Sequence, residues 1–162
     1  MTQLRGAAVL LTGATGGLGR ATATALAVEG CRLVLTGRNE SLLESLASTT
    51  GGKPIVADLS KRSELERLLE VAGPVDVAVL NAALPGSGEL RTWDQGQIDT
   101  VLEINLAGPI AMTRALLPGF LERRSGHFVF ISSLAAMVGP PAIVATNDET
   151  SDGSGALASL GV

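Results

Sequence analysis

The sequence predicts an α/β fold: a doubly wound parallel sheet of about five strands, truncated after the fifth. Three observations carry this. Short runs rich in Val, Ile and Leu recur five times, segments with helical spacing separate them, and a Gly-rich turn joins the first run to the first helix. Near-continuous apolar strands joined by helical crossovers are what a parallel sheet covered on both faces requires.

The first strand is read in "AAVLLTG" (7–13), and the amphipathic helix after it ends at Gly30, a left-handed cap. The second is "CRLVLTG" (31–37), where Cys31 suits a small buried position at the strand entrance. After the third, "KPIVADL" (53–59), Ser60 is expected to cap the helix "KRSELERLLEVA". Leu65, Leu68, Leu69 and Ala72 share one face of that helix, Lys61, Arg62, Glu66 and Arg67 form its solvated face, and Gly73 closes it. The fourth strand is "VDVAVLNA" (75–82). The segment from Trp93 to Arg124 reads as one helix or two, with Pro109 and Pro118 as kinks, and "HFVFISS" (127–133) is the fifth strand. Residues 1–145 form the expected domain. Beyond Ala145, "TNDETSDGSG" has no apolar residue and "ALASLGV" is too short for an independent helix, so 146–162 is expected to be a flexible polar tail. The fifth strand would then expose an edge suited to self-association, as would the long helix.

Bulk properties narrow the function. A formal charge of -4 with no basic run argues against nucleic acid. Apolar runs are broken before the roughly 18 residues a membrane helix needs, and no basic segment followed by an apolar run stands at the start, so a cytoplasmic location with no membrane partner is expected. The single cysteine cannot form an internal disulfide, and no cluster has metal-ligand spacing. His127 reads as a strand-entry residue and Trp93 as a packing residue.

The chemistry begins at "LLTGATGGLGR". Glycines let backbone amides approach a phosphate, and a helix N-terminus adds partial positive charge. Thr12-Gly13, Gly17 and Gly19 resemble the TGxxxGxG turn of the short-chain dehydrogenase/reductase family; with Gly16 the stretch also fits the TGxxGxxG spacing of its extended branch. "LNAALPG" (80–86) looks like a variant of the classical NNAG motif, "LEINLAGP" (102–109) places Asn105 like the active-site Asn, and "GHFVFISSLAA" resembles the strand ending at the catalytic Ser, here Ser133. The resemblance covers about residues 7–145.

It implies a Rossmann fold, oxidation of alcohols or reduction of carbonyls, and a nicotinamide cofactor contacted by Gly13, Thr15, Gly17, Leu18, Gly19, Arg38, Asp58, Leu59, Asn81 and Ala82. An acidic residue at position 37 would bond a ribose 2′-hydroxyl, whereas Gly37 leaves room and Arg38 offers a charged fork suited to a phosphate. NADP(H) is therefore expected over NAD(H).

Ser133 and Asn105 match the family's catalytic set, but its Tyr and Lys fall at Thr146 and Thr150, and the chain contains no Tyr. An aliphatic hydroxyl is a far weaker acid than a phenol, whose pKa is about 10. Catalysis is therefore expected to be impaired. The alternatives are a non-enzymatic NADP(H)-binding or interaction module and an inert fragment.

Overall fold

The computed structural model describes residues 4–86, 90–133 and 155–161, the last stretch as backbone. Its elements are β1 (Ala8–Leu11), α1 (Gly17–Val28), β2 (Arg32–Gly37), α2 (Glu40–Thr50), β3 (Lys53–Val56), α3 (Arg62–Ala72), β4 (Val77–Leu80), a 3₁₀ turn (Leu90–Thr92), α4 (Gln95–Leu102), a π-helical turn (Glu103–Ala107), α5 (Gly108–Arg123), β5 (His127–Ser133) and β6 (Gly155–Gly161). The sheet order is β3-β2-β1-β4-β5-β6. All pairs through β5 are parallel, and β6 runs antiparallel to β5. The expected five-stranded parallel sheet is present.

Alternation along the strands builds two cores. Leu10, Val34, Ala78 and Leu80 face α3 and α5, packing with Leu65, Leu68, Met112 and Phe120. Val9, Leu11, Leu33, Leu35, Val77 and Val79 face the other way, toward Ala23 of α1 and Leu43 and Leu46 of α2. Both faces are covered, which is why the strands read as continuous apolar runs.

One carboxylate helps to fix the register at the lower edge of the sheet. Asp76 accepts the Ala8 N–H on Oδ2 at 2.8 Å, donates its own N–H to the Ala8 carbonyl at 2.7 Å, and accepts the His127 N–H on its carbonyl at 3.0 Å. Strands β1, β4 and β5 are thereby tied together below their ladders. His127 is the first residue of β5, at the end away from Ser133.

Several local expectations change. Lys61, not Ser60, stands at the N-cap of α3, where an ammonium, a donor only, makes no side-chain cap; the Ser60 hydroxyl instead donates to Asp58 Oδ1 at 2.8 Å. Gly30 and Gly73 do take positive φ at the ends of α1 and α3. The long segment is broken by the π turn rather than by a proline kink: Pro109 lies in the first turn of α5, where it is tolerated, and Pro118 lies within the helix. Gln95–Arg123 is long and apolar enough for a membrane span by composition, but Val101, Ile104, Ala111, Met112 and Phe120 are buried. Cys31 is only half-buried, packed at the margin of the second core, with Sγ donating to the Leu4 carbonyl at 3.3 Å.

Beyond β5 the structure adds an element the sequence did not signal. Within the stretch read as a tail, Gly155–Gly161 pairs along β5 from Ser133↔Gly155 to His127↔Gly161. The edge of β5 expected to be open for self-association is therefore occupied, since its outward backbone groups are bonded to β6. Thr146 and Thr150 lie outside the described residues.

Candidate functional site

Where strand order reverses, between β1 and β4, the carboxyl ends of the strands diverge and leave a crevice. A cleft of about 190 Å³ opens there, lined by Gly13, Thr15 and Gly16 after β1, Gly37 and Arg38 at the end of β2, Ala57 to Leu59 after β3, and Asn81 to Leu84 after β4.

Thr12 and Asn81 build its floor. Thr12 is fully buried, and its Oγ1 accepts the N–H groups of Asn81 and Ala82, each at 2.9 Å. Asn81 Nδ2 donates back to the carbonyls of Thr12 and Gly13 at 3.1 and 3.2 Å. Asn81 Oδ1 has no hydrogen-bond partner among the described residues. These bonds press the turn after β4 against the turn after β1. Gly13 has φ 64°, and a Cβ there would lie 2.8 Å from Ala82 Cα, so both backbone conformation and contact demand glycine.

The other glycines divide by role. A Cβ on Gly19 would overlap the Gly13 carbonyl, so Gly19 lets α1 pack against the turn. A Cβ on Gly17 would meet nothing within 4 Å. Gly17 opens α1, whose N-terminus has no side-chain cap; packing does not require glycine there, whereas a phosphate on the bare helix end would benefit from the room. Gly17 and Leu18 are exposed beside the cleft rather than within its lining, and Gly19 is buried.

Asp58 and Leu59 close the cleft on the β3 side. Burial works against ionisation at Asp58, but hydrogen bonds from Ser60 Oγ and N, with the charges of Lys61 and Arg38, hold its carboxyl below the ordinary value. Glu64 contributes a contact that sequence reasoning missed: its Oε2 accepts the Asp58 N–H at 2.8 Å, and its Oε1 pairs with Lys61 Nζ at 3.0 Å. Sequence spacing shows only another charge near the start of a solvated helix.

Asn105 and Ser133 lie outside this cleft. Asn105, in the π turn, clamps the loop after β4: Oδ1 accepts the Leu84 N–H and Nδ2 donates to the Leu84 carbonyl, both at 2.8 Å. It also borders an apolar hollow of about 840 Å³ between α5 and β5, walled by Leu106, Ile110, Leu117 and Phe130 and reaching Ser132. Ser133 ends β5 and is 3% exposed. Trp93 lines a further hollow with Leu84 and Pro85. No group of His, Cys, Asp and Glu among the described residues could hold a metal ion.

A cleft with glycine-lined walls, an uncapped helix N-terminus and an arginine fork fits a dinucleotide phosphate chain. Comparison with known proteins agrees. The family model described as short chain dehydrogenase matches residues 7–145. Mouse dehydrogenase/reductase SDR family member 7B is 38% identical over 151 residues, covering 85% of this chain and 47% of the relative. Ketoacyl reductase HetN of a Nostoc species is 37% identical, covering 86% of this chain and 52% of the relative. The chain thus spans about half the length of these curated relatives. Among solved structures, a metagenomic short-chain oxidoreductase in complex with NADP superposes with a TM-score of 0.78 at 30% identity, covering 87% of this chain and 68% of that one.

Proposed function

This chain belongs to the short-chain dehydrogenase family, an oxidoreductase family, and from that premise we propose that it is an NADP(H)-binding domain with impaired turnover of alcohols or carbonyls. The carrying observation is the pairing of Gly37 and Arg38 on the wall of the cleft. Position 37 presents no carboxylate to a ribose diol, and Arg38 supplies a fixed positive charge for a 2′-phosphate. The NADP bound by the solved metagenomic oxidoreductase supports the same reading.

A bound nicotinamide dinucleotide supplies or accepts a hydride. The residues of this chain would do the holding. The amides at the start of α1 would hold the pyrophosphate, Arg38 the 2′-phosphate, and Asp58 and Leu59 the adenine side, while the Thr12–Asn81 lattice would keep the floor rigid. What the described residues lack is a means of moving a proton at the substrate. Ser133 is buried at the end of β5, the Asn105 amide is engaged with Leu84, and no Tyr exists in the chain to act as the acid. General acid–base catalysis is worth about 10²–10⁴-fold, so binding without efficient turnover is the expected behaviour.

Titration calorimetry of the full 162-residue chain with NADPH and NADH tests the reading. Saturable binding of NADPH, with NADH weaker by tenfold or so, is expected. Equal or tighter NADH binding would overturn the cofactor assignment. Turnover of a carbonyl panel with NADPH at rates ordinary for enzymes, about 1–10³ s⁻¹, would overturn the impairment.

A further inference from the structure

The backbone of Gly37 is packed against Thr15. A Cβ placed on Gly37 would lie 3.0 Å from Thr15 Oγ1, 3.2 Å from its Cγ2 and 3.6 Å from its Cβ. The first two are closer than ordinary van der Waals contact, and both residues line the dinucleotide cleft. We propose that Thr15 is a specificity-determining residue: its two branches crowd the space a side chain at position 37 would need, so the exclusion of a ribose-binding carboxylate there is set by the Thr15–Gly37 pair and not by position 37 alone, beside the charge that Arg38 supplies. This rests on the NADP(H) reading above.

The geometry explains why threonine suits this role. Both heavy atoms on Thr15 Cβ point toward Gly37. A β-branched side chain fills two of three staggered positions, so every rotamer leaves at least one branch against position 37. Sliding the whole residue away is also opposed, because Ala14 N–H donates to the Thr36 carbonyl at 2.9 Å and ties the β1 turn to the end of β2. An aspartate at 37 would therefore require Thr15 or the turn to give by a few tenths of an ångström, or be held away from the ribose. The constraint is one of shape, independent of the Thr15 hydroxyl as a hydrogen-bonding group.

The test is a set of variants titrated calorimetrically with NADPH and NADH. Gly37→Asp alone is expected to weaken NADPH without gaining NADH. Gly37→Asp with Thr15→Ala is expected to bind NADH about tenfold more tightly than Gly37→Asp alone. Gly37→Asp with Thr15→Val should remain as poor as Gly37→Asp, since valine keeps the shape and loses the hydroxyl. Tight NADH binding by Gly37→Asp alone, or by the valine pair, would overturn the proposal while leaving the cofactor reading intact. Failure of the unmodified chain to bind either nucleotide would overturn both. Should Gly37→Asp not fold, Gly37→Ala melting supplies a ligand-free measure. Its midpoint should fall in the Thr15 background and recover with Thr15→Ala, and an equal change in both backgrounds would overturn the steric coupling.

Discussion

Glu64 reaches back across the turn after β3 and accepts the backbone N–H of Asp58 at 2.8 Å, while its other oxygen pairs with Lys61 at 3.0 Å. The adenine-side wall of the cleft is thus shaped from the first turn of α3. Glu64→Ala should release that N–H, lower the melting temperature and weaken NADPH binding severalfold. Glu64→Gln keeps an acceptor and should fall between the two. Calorimetric titration alongside thermal melting reads both effects.

Acid should act on the same turn. The Asp58 carboxyl is lowered despite the opposing effect of burial, and Glu64 is lowered by the Asp58 N–H and by Lys61. Depressed carboxylates contribute stability that is complete above their unfolded values, about 3.9 and 4.3, and is lost as pH falls through the folded values. Lys61 is raised by Glu64; its contribution is complete below its unfolded value of about 10.4 and is lost as pH rises through the folded one. Urea midpoints measured across pH should decline below about pH 4, and Glu64→Gln should flatten that decline.

Thr12→Val should be costly despite its similar volume. Two N–H groups lose their acceptor, that of Asn81 in a buried place and that of Ala82 in a half-buried one, at up to roughly 1–3 kcal/mol for each group left unpaired. Thr12→Ser retains the oxygen and should recover most of the loss in urea unfolding.

Gly17→Ala and Gly19→Ala should separate binding from packing. The first meets open space and should shift stability by no more than about 1 kcal/mol while weakening NADPH binding. The second collides with the Gly13 carbonyl and should destabilise by about 3 kcal/mol or more.

Arg38→Ala should reduce NADPH affinity by about ten- to a hundredfold, as expected for loss of a charge-assisted contact, and leave NADH affinity nearly unchanged. Rising ionic strength should weaken NADPH binding by the unmodified chain more than by the variant.

Strand positions were legible because both faces of the sheet are covered, which writes burial into nearly every residue of β1 and β4. The cleft was legible where geometry forces a residue type, as at Gly13, and Arg38 does line it. Contacts that depend on reach were not: Glu64 looks like any surface charge until the turn brings the Asp58 N–H within 2.8 Å. The π turn escaped detection because apolar spacing does not distinguish one extra residue in a helical turn. β6 escaped because "GALASLG" contains no β-branched residue; pairing with β5 makes it a strand.

Trp93 is the one indole in a chain without tyrosine. It shares Leu84 with the dinucleotide cleft, lining one side of a hollow whose other wall that residue helps to form. Ultraviolet emission from the whole molecule therefore originates at a single point next to the cleft. Dihydronicotinamide absorbs where indole emits, so excitation passing from Trp93 to a reduced cofactor would report occupancy with no attached label, a route that the oxidised cofactor, lacking that absorption, does not offer.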